Sequence, residues 1–259
     1  MDQMMEQRDA RDPLIDYCLR LGDNALILGH RVSEWCGHAP ILEEDIAMAN
    51  VALDLIGQAR LWLELAGELE GEGRGADDLA YLRDAGDFRN LLLVEQPNGD
   101  FGQTLMRQFL FDLWHDLVLE QLVSSKHERV AEVAQKAQKE VSYHLNRSRD
   151  LVIRLGDGTD ESRERMQNAL EELWPFTGEM TTPDGLDSSL AEVGVGADLT
   201  LLAPKWQAAA ADVLEQATLI HPEQSWMQEG GKNGRHGEHL GFILAEMQFL
   251  QRAYPGAAW

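Results

Sequence analysis

Three polar side chains at four-residue spacing, Asn50, Asp54 and Gln58, run through a strongly apolar stretch of the sequence. If the stretch is helical, residues four apart lie on one side, so the three form a single polar line. The positions between them are almost all apolar: Ile46, Ala47, Met48, Ala49, Val51, Ala52, Leu53, Leu55 and Ile56. A helix without a polar face is normally central and packed on several sides. The line therefore predicts either a metal site or a hydrogen-bond network inside a helical core.

A di-iron carboxylate site is the metal chemistry that such a core would serve. It needs a Glu from each of two helices and a Glu-x-x-His from each of two others. None of the histidines has a Glu three residues before it: His30, His38, His115, His127, His144, His221, His236 and His239. The nearest patterns are Asp112 three residues before His115 and Glu140 four residues before His144.

The positions expected to hold iron ligands still carry polar side chains. Asp23 or Asn24 falls on the first predicted helix, and Asp54, Asp112 and Glu140 fall on the next three. The imidazoles are missing, however, because Gly57 and Tyr143 stand three residues beyond Asp54 and Glu140. We therefore predict a hydrogen-bond network in place of iron, with Arg60 or Arg147 balancing its acids. Its members are Asn24, Asn50, Asp54, Gln58, Asp112, Glu140, Tyr143 and His144.

Basic residues outside this core form small groups in two non-helical regions. Arg74, Arg83 and Arg89 lie in the first, and Lys232 and Arg235 flank a glycine-rich hinge in the second. On an acidic chain such groups are where a polyanionic ligand could dock, although exposed arginines are more often only solvated. The glycine-rich run itself lacks the Walker pattern of a phosphate-binding loop.

Helical periodicity and caps predict seven helices, at about 13–35, 43–69, 101–123, 128–154, 159–174, 204–217 and 236–254. Residues 71–100 and 178–203 are predicted as irregular excursions, with a helical turn near 77–84 and a buried extended segment at 90–94. Residues 1–12 are expected to be flexible. The fold class is therefore all-α, one domain over residues 1–259, with a four-helix bundle core and additional shorter helices.

The chain has 259 residues with 45 acidic and 22 basic side chains, which gives a formal net charge of −23. This charge argues against nucleic acid or an anionic membrane as a partner. No apolar run reaches the length of a membrane span, and the charged N-terminus does not have the pattern of a signal peptide. A cytoplasmic protein is expected.

Several long strings closely resemble a known family, the C subunits of bacterial phenylacetyl-CoA epoxidases (ring 1,2-phenylacetyl-CoA monooxygenases). The strings are DYCLRLGDN, HRxSEWCGHAP, DLIGQAR, NLLLVEQPNGDF, KEVSYH, RLGDGTD and GEHLGFxLAEMQFLQR. The resemblance extends from Tyr17 to the C-terminus, with residues 178–203 matched only loosely. It implies a ferritin-like fold and a role in aerobic phenylacetate catabolism.

The resemblance also implies where the chemistry of the complex takes place. The di-iron centre belongs to a different, catalytic A subunit, so no cofactor is expected in this chain. Electrons from NADPH pass through a reductase component with flavin and iron-sulfur groups, and the substrate is a coenzyme A thioester. The C subunit is a structural, non-catalytic partner that stabilises the A subunit, as a homodimer alone or in a heterotetramer with it.

In the family picture the C subunit also touches the coenzyme A end of the substrate. By motif, these contacts fall on two segments of this chain: Arg83, Asp84, Ala85, Gly86 and Asp87, and Gly185, Leu186 and Asp187. Ala85 and Gly86 stand where charged residues are expected, so contacts there would run through the backbone.

Two other hypotheses remain beside the structural subunit. One is a stand-alone di-iron oxygenase or oxidase with divergent ligands, drawn from Asp54, Asp112, His115, Glu140 and His144. The other is a ferritin-like interaction module of an unrelated pathway that binds neither substrate nor metal. Metal content and reconstitution with a sister subunit distinguish the three.

Overall fold

Four long helices in two antiparallel hairpins form the core of the protein. The computed structural model describes residues 12–223 and 226–257, and helix is the only regular structure in that part of the chain. The long helices are α1 (Pro13–Ser33), α2 (Leu42–Glu70), α5 (Phe101–Leu122) and α6 (Glu128–Gly156), with α3 (Ala76–Tyr81) and α4 (Leu92–Glu95) between the hairpins. α1 packs along α2, α5 packs along α6, and α2 contacts α6. The predicted all-α bundle is confirmed.

The shorter helices follow the second hairpin. They are α7 (Asp160–Leu173), α8 (Gly178–Thr181), α9 (Gly185–Glu192), α10 (Leu199–Gln216), α11 (Glu238–Met247) and α12 (Phe249–Ala253). α7 packs on α5 and α6, and α10 also contacts both. No helix in the described residues is long and apolar enough to cross a membrane.

Side-chain caps fix the starts of several helices where the sequence predicts them. Asp12 Oδ1 accepts from Leu14 N at 2.9 Å before Pro13, and Asp100 Oδ1 accepts from Gln103 N at 2.9 Å. Thr159 and Ser162 cap α7 reciprocally, as Ser162 N donates to Thr159 Oγ1 and Thr159 N donates to Ser162 Oγ. Each cap satisfies backbone donors that the first helical turn leaves free.

The helix buried on all sides is α1, and the prediction that α2 is surrounded is wrong. Between Leu14 and Gly29 every residue of α1 except Asp16 is buried. By contrast α2 leaves Ile46, Leu53 and Ile56 exposed on one side. An apolar side chain predicts burial, but its type does not say whether its own chain covers it.

Other boundaries differ from the predictions for local reasons. Residues 90–94 are buried as expected, but Leu92–Glu95 forms a helical turn instead of an extended segment. Residues 178–203 contain α8, α9 and the start of α10, so that excursion is largely helical. α10 begins at Leu199 because Asp198 caps it, and Pro204 lies inside the helix, where it removes one backbone hydrogen bond. Flexibility was expected for residues 1–12; residues 1–11 lie outside the described residues, and Asp12 caps α1.

Candidate functional site

The predicted polar line on α2 turns gradually from the surface into the core. Asn50 is exposed, Asp54 is half-buried and Gln58 is 1% exposed. Four residues exceed one helical turn, so each step rotates the line by about 40°. Asn50 is therefore not a core residue, and neither is Tyr143, which is 58% exposed on α6. The structure corrects both predictions.

Five of the other predicted positions lie between α2, α5 and α6: Asp54, Gln58, Asp112, Glu140 and His144. Together with Ser148 they form what we call the core polar cluster. Asp54 Oδ2 lies 2.9 Å from His144 Nε2. Gln58 Nε2 donates to Glu140 Oε2 at 2.9 Å. Both pairs join α2 to α6 across the seam between the hairpins.

Asp112 lies on α5, deeper in the same cluster. Its carboxyl accepts from Gln108 Nε2 at 2.6 Å and from Ser148 Oγ at 2.8 Å. Burial raises the pKa of Asp112 to about 8, although both hydrogen bonds lower it. The neutral acid therefore predominates at pH 7, and the centre of the bundle carries little charge.

The two core histidines are also neutral. Burial lowers the pKa of His115 to about 3, with a further contribution from His144, and burial lowers the pKa of His144 as well. His115 packs against Phe111, with 5.1 Å between ring centroids. Among the described residues, no three His, Cys, Asp or Glu side chains are grouped closely enough to hold a metal ion.

The arginines predicted to balance the core acids lie elsewhere. Arg147 pairs with Glu44 at the edge of the seam. Arg60 points outward, with 74% of its side chain exposed, and its Nε donates to Glu64 at 2.7 Å. The core acids are satisfied by uncharged donors and by one imidazole instead.

A second polar cluster joins α1 to three segments made of turns and short helices, near residues 83–95, 179–187 and 230–237. We call it the loop ion-pair cluster: Arg20, Asp23, Arg83, Glu95, Glu179, Asp184, Asp187, Lys232 and His236. Asp23 pairs with Arg83, whose guanidinium lies 4.3 Å from the centroid of the Phe88 ring. Asp23 Oδ2 also accepts from Arg89 N at 2.8 Å. Asn24, predicted in the core network, belongs here because its Oδ1 accepts from Leu91 N at 2.8 Å.

Asp187 lies between two cations in this cluster. Arg20 Nη1 donates to Asp187 Oδ1 at 3.0 Å, and Lys232 Nζ donates to Asp187 Oδ2 at 2.8 Å. Arg20 also pairs with Asp184. Burial alone would raise the pKa of Asp184, but the bonds from Arg20 hold it at about 2. The Asp184 carboxyl is therefore fully ionised at neutral pH, beside a guanidinium that neutralises it.

Two glutamates attach the segment near residues 230–237. Glu179 Oε1 accepts from Gly230 N and Lys232 N, both at 3.0 Å. Glu95 Oε2 lies 2.9 Å from His236 Nδ1, and His236 Nε2 lies 3.0 Å from the Phe88 carbonyl oxygen. Burial lowers the pKa of His236, but the two acceptors raise it by more than burial lowers it, so the net shift of the pKa is upward. Both ring nitrogens face acceptors, which is the arrangement that an imidazolium satisfies.

The first predicted coenzyme A segment lies around residues 83–87. Arg83 is buried and engaged with Asp23. Asp84 and Asp87 are exposed; Asp84 pairs with Arg252 at 2.9 Å, and Asp87 caps the turn at Asp84. Ala85 is half-buried and Gly86 is exposed. The surface of this segment is therefore backbone and two carboxylates.

The second predicted segment starts α9. Asp187 is buried in the loop ion-pair cluster, Leu186 is half-buried and Gly185 is exposed. The segment near Gly230–Gly234 joins the two predicted regions, because Lys232 reaches Asp187 while a Cβ at Gly234 would overlap the Gly86 carbonyl. Gly230 and Gly234 have φ angles of 132° and 74°, which glycine adopts without strain.

Sequence reasoning missed Glu95, Glu179 and His236 as members of one cluster. Two local patterns were available as signals. Glu95 ends the apolar run N-L-L-L-V-E, and Lys232 lies in a glycine-rich run. Neither pattern identifies a partner that is 45 to 141 residues away in the chain.

Comparison with known proteins identifies the family to which the sequence is similar. A profile of the family described as phenylacetic acid catabolic protein matches residues 1–259. Among curated proteins, the chain is similar to the C subunit of 1,2-phenylacetyl-CoA epoxidase from Escherichia coli (strain K12). The two are 49% identical over 246 residues, which cover 95% of this chain and 99% of that relative.

Proposed function

The chain belongs to the phenylacetic acid catabolic protein family, and on this premise we propose that it is a structural subunit of a phenylacetyl-CoA epoxidase. In this role it pairs with the catalytic di-iron subunit and stabilises it in aerobic phenylacetate catabolism, without carrying out the oxygen chemistry itself. The similarity to the C subunit of the E. coli enzyme, over almost the full length of both chains, supports the assignment.

The pairing of ligand-type side chains with one another is the observation that supports a non-catalytic role. Asp54 is paired with His144, and Glu140 with Gln58. The Asp112 carboxyl is engaged by Gln108 and Ser148. Carboxyl groups that neighbouring side chains already engage support a structural role for this bundle.

The two other hypotheses are not favoured. A stand-alone di-iron oxygenase would need Asp54, Asp112, His115, Glu140 and His144 to converge, whereas their hydrogen bonds divide them into separate pairs. An interaction module of an unrelated pathway does not agree with the family match. Whether the chain is a homodimer alone or forms a heterotetramer with the catalytic subunit stays a prediction.

Contact with the coenzyme A part of the substrate is a further element of the proposal. The charges of Arg83 and Asp187 are used inside the protein, so they are not free for a ligand. The backbone at Gly86 and Gly185 is exposed, and a Cβ added at either glycine would meet no atom within 4 Å. These two points are where coenzyme A could approach the chain closely.

Reconstitution tests the main proposal. The purified chain, the catalytic subunit and the reductase are combined with NADPH and phenylacetyl-CoA, and product formation is measured with each component left out in turn. We expect no turnover by this chain alone and much lower turnover by the catalytic subunit without it. Turnover by this chain without its sister, or about two irons per purified chain, would contradict the proposal.

Alanine substitutions test the coenzyme A contact in the reconstituted complex. Gly86→Ala and Gly185→Ala add only a methyl group and are expected to raise the KM for phenylacetyl-CoA while leaving the melting temperature unchanged. Gly241→Ala is the matched control, because Gly241 is exposed and its Cβ would also meet no atom. An unchanged KM in both variants would remove coenzyme A contact from the proposal.

A further inference from the structure

The last two helices, α11 and α12, bury little apolar surface, and we call them the C-terminal unit. In these helices, all of whose residues the structure describes, the buried side chains are Leu240, Ile243 and Leu244 of α11. Phe242 and Phe249 are 67% and 63% exposed. An element with few buried apolar contacts can open locally at a small cost in free energy while the rest of the protein stays folded. Its polar attachments therefore decide how firmly the unit is held.

The attachments at the C-terminal end of the unit do not depend on pH near neutrality. Gln248 Nε2 donates to the carbonyl oxygens of Ala80 and Arg83, both at 3.0 Å. Arg252 Nη2 donates to the same Arg83 oxygen at 2.8 Å. A carboxamide carries no charge and a guanidinium keeps its proton in proteins, so these bonds persist when the pH changes.

The attachment at the N-terminal end contains a histidine. His236 Nδ1 lies 2.9 Å from Glu95 Oε2, and His236 Nε2 lies 3.0 Å from the Phe88 carbonyl oxygen. The side chains of His236 and Glu95 are 4% and 0% exposed, so water has little access to replace either contact. Gly237 N, just before α11, donates to Glu95 Oε1 at 2.7 Å. This end of the unit is therefore held at one buried carboxylate and one carbonyl.

With the Glu95 carboxylate as acceptor, the imidazolium is the one form of His236 that makes both contacts. A neutral imidazole carries a single N–H, so one of its ring nitrogens turns a lone pair toward an oxygen that has no proton to donate. Glu95 Oε2 also accepts from Asn90 Nδ2, at 3.1 Å, and thus already serves a second donor. Loss of the proton therefore removes a hydrogen bond and places two lone pairs against each other.

Acidic groups around the ring favour the imidazolium. Burial alone would lower the pKa of His236, but the bonds to Glu95 and Phe88 and the charges of Glu95 and Asp23 raise it by more. The net shift of the pKa is upward. Proton loss from the folded chain therefore takes place at a higher pH than proton loss from an exposed histidine.

Further charged groups lie near this site on the neighbouring elements: Arg31, Arg83, Arg89, Glu238 and His239. The three arginines have other acceptors. Arg83 pairs with Asp23. Arg31 Nη2 donates to the Glu95 carbonyl oxygen at 2.9 Å, and Arg89 Nη1 donates to the Phe88 carbonyl oxygen at 2.8 Å. On α11 itself, Glu238 is exposed and His239 is half-buried.

We propose that His236 is a pH-sensitive latch, which fastens the C-terminal unit to Glu95 and Phe88 as an imidazolium and lets the unit open locally when it loses its proton. This inference does not depend on the proposed function. Because the pKa of His236 is raised in the fold, its stabilising effect is complete below the pKa of an exposed histidine, about 6.5. The effect is lost as the pH rises through the higher pKa of the folded chain.

Two measurements on the unsubstituted chain test the latch, and they must agree. A pH titration of the histidine ring resonances by NMR gives the pKa of His236. Hydrogen exchange gives the protection factors of the amides in α11 and α12, corrected for the intrinsic effect of pH. Between about pH 6 and about pH 9 we expect these factors to fall by up to tenfold for each unit by which the pKa exceeds 6.5.

The same exchange data show whether the opening is local. We expect the amides of α11 and α12 to be less protected than those of α5 and α6 at every pH, with little dependence on low concentrations of urea. If protection is equal in all four helices, the unit opens only with the whole protein and the latch is overturned.

His236→Gln removes the titrating group. We expect the amides of α11 and α12 in this variant to have, already at about pH 6, the low protection that the unsubstituted chain reaches at about pH 9. The matched control is His239→Gln, which removes a histidine from the first turn of the same helix. This control should keep the pH dependence of the unsubstituted chain.

Three results would overturn the proposal. One is a pKa of His236 at or below about 6.5. Another is protection of α11 and α12 that does not change with pH although the pKa of His236 is raised. The third is pH dependence that His239→Gln abolishes and His236→Gln retains. If His236→Gln does not fold, the titration and the exchange data of the unsubstituted chain decide the question without it.

Discussion

The core polar cluster and the loop ion-pair cluster both bury polar side chains, but the first does so with neutral groups and the second with paired charges. The core cluster joins α2, α5 and α6 through a few hydrogen bonds, and burial keeps Asp112 and both histidines neutral. The loop cluster joins α1 to three segments through full charges, such as Asp23 with Arg83 and Asp187 with Lys232. Burying a charge costs free energy even when the charge is paired, so the presence of full charges in the loop cluster has to be explained.

The reason lies in the backbone that each cluster supports. Residues inside helices satisfy their own N–H and C=O groups, so side chains between helices only need to pair with one another. The loop segments leave backbone donors open, and carboxylates accept from them: Glu179 from Gly230 and Lys232, and Asp23 from Arg89. The cations then balance these carboxylates. The charges are thus part of the architecture rather than evidence of a ligand.

Asp23→Asn should produce the largest effect and tests whether the loop charges are structural. Loss of the carboxylate leaves Arg83 buried without its counter-charge, which typically costs about 3–5 kcal/mol. The free energy of unfolding from urea denaturation measures this loss. Asp54→Asn in the core cluster is the control and should cost less than about 1 kcal/mol, because Asp54 is 37% exposed. Equal losses would remove the distinction between the two clusters.

Asp187→Asn addresses a residue for which coenzyme A contact was predicted. Arg20 keeps Asp184 as a partner, but Lys232 loses its carboxylate, so we expect a loss of about 2–3 kcal/mol. Asp84→Asn, in the other predicted segment, removes only an exposed pair with Arg252 and should cost under about 1 kcal/mol. Thermal denaturation of both variants makes the comparison. If the Asp187→Asn variant is as stable as the unsubstituted chain, the Asp187 carboxylate is not needed for the fold, and the predicted contact with coenzyme A would again account for it.

Asp112→Asn should change the pH dependence of stability. The pKa of Asp112 is raised from 3.8 to about 8. Between these values the folded chain holds a proton that the unfolded chain has lost, so this group makes the protein less stable as pH rises. The slope is at most about 1.4 kcal/mol per pH unit for one proton. We expect Asn, which is neutral throughout, to flatten this decline in urea denaturation at pH values from about 5 to about 8. An unchanged slope would mean that Asp112 is ionised in the fold.

Asn50→Ala should have the smallest effect. The sequence places Asn50 in the core network, whereas the structure exposes it. Substitution of an exposed residue without a special role usually changes stability by less than about 0.5 kcal/mol. A loss near that of Asp23→Asn would show that Asn50 is buried after all.

The sequence predicts the helices well because their signals are local. Apolar periodicity and caps such as Asp12 and Thr159 act within a few residues, and the structure confirms them. Helical geometry also places Asp54 and Glu140 between the helices, whereas their partners, His144 and Gln58, come from the structure. Asn50 is exposed instead, since a four-residue repeat drifts around the helix.

The loop cluster could not be predicted because its partners are distant in the chain. Glu95 and His236 are 141 residues apart, and no periodic pattern relates them. The exposed side of α2 was missed for another reason. Ile46 and Leu53 are apolar as core residues are, and only the fold shows that no described element of this chain covers them.

The segment near residues 230–237 also sets an order for biosynthesis. The chain leaves the ribosome from its N-terminus, so Glu95, Glu179 and Asp187 are made well before Gly230, Lys232 and His236. Until that last segment emerges, these acids lack the donors that they have in the finished protein. A nascent chain can form the Asp23–Arg83 and Arg20–Asp187 pairs early, but it completes the bonds to Glu95, Glu179 and Asp187 only with the last segment.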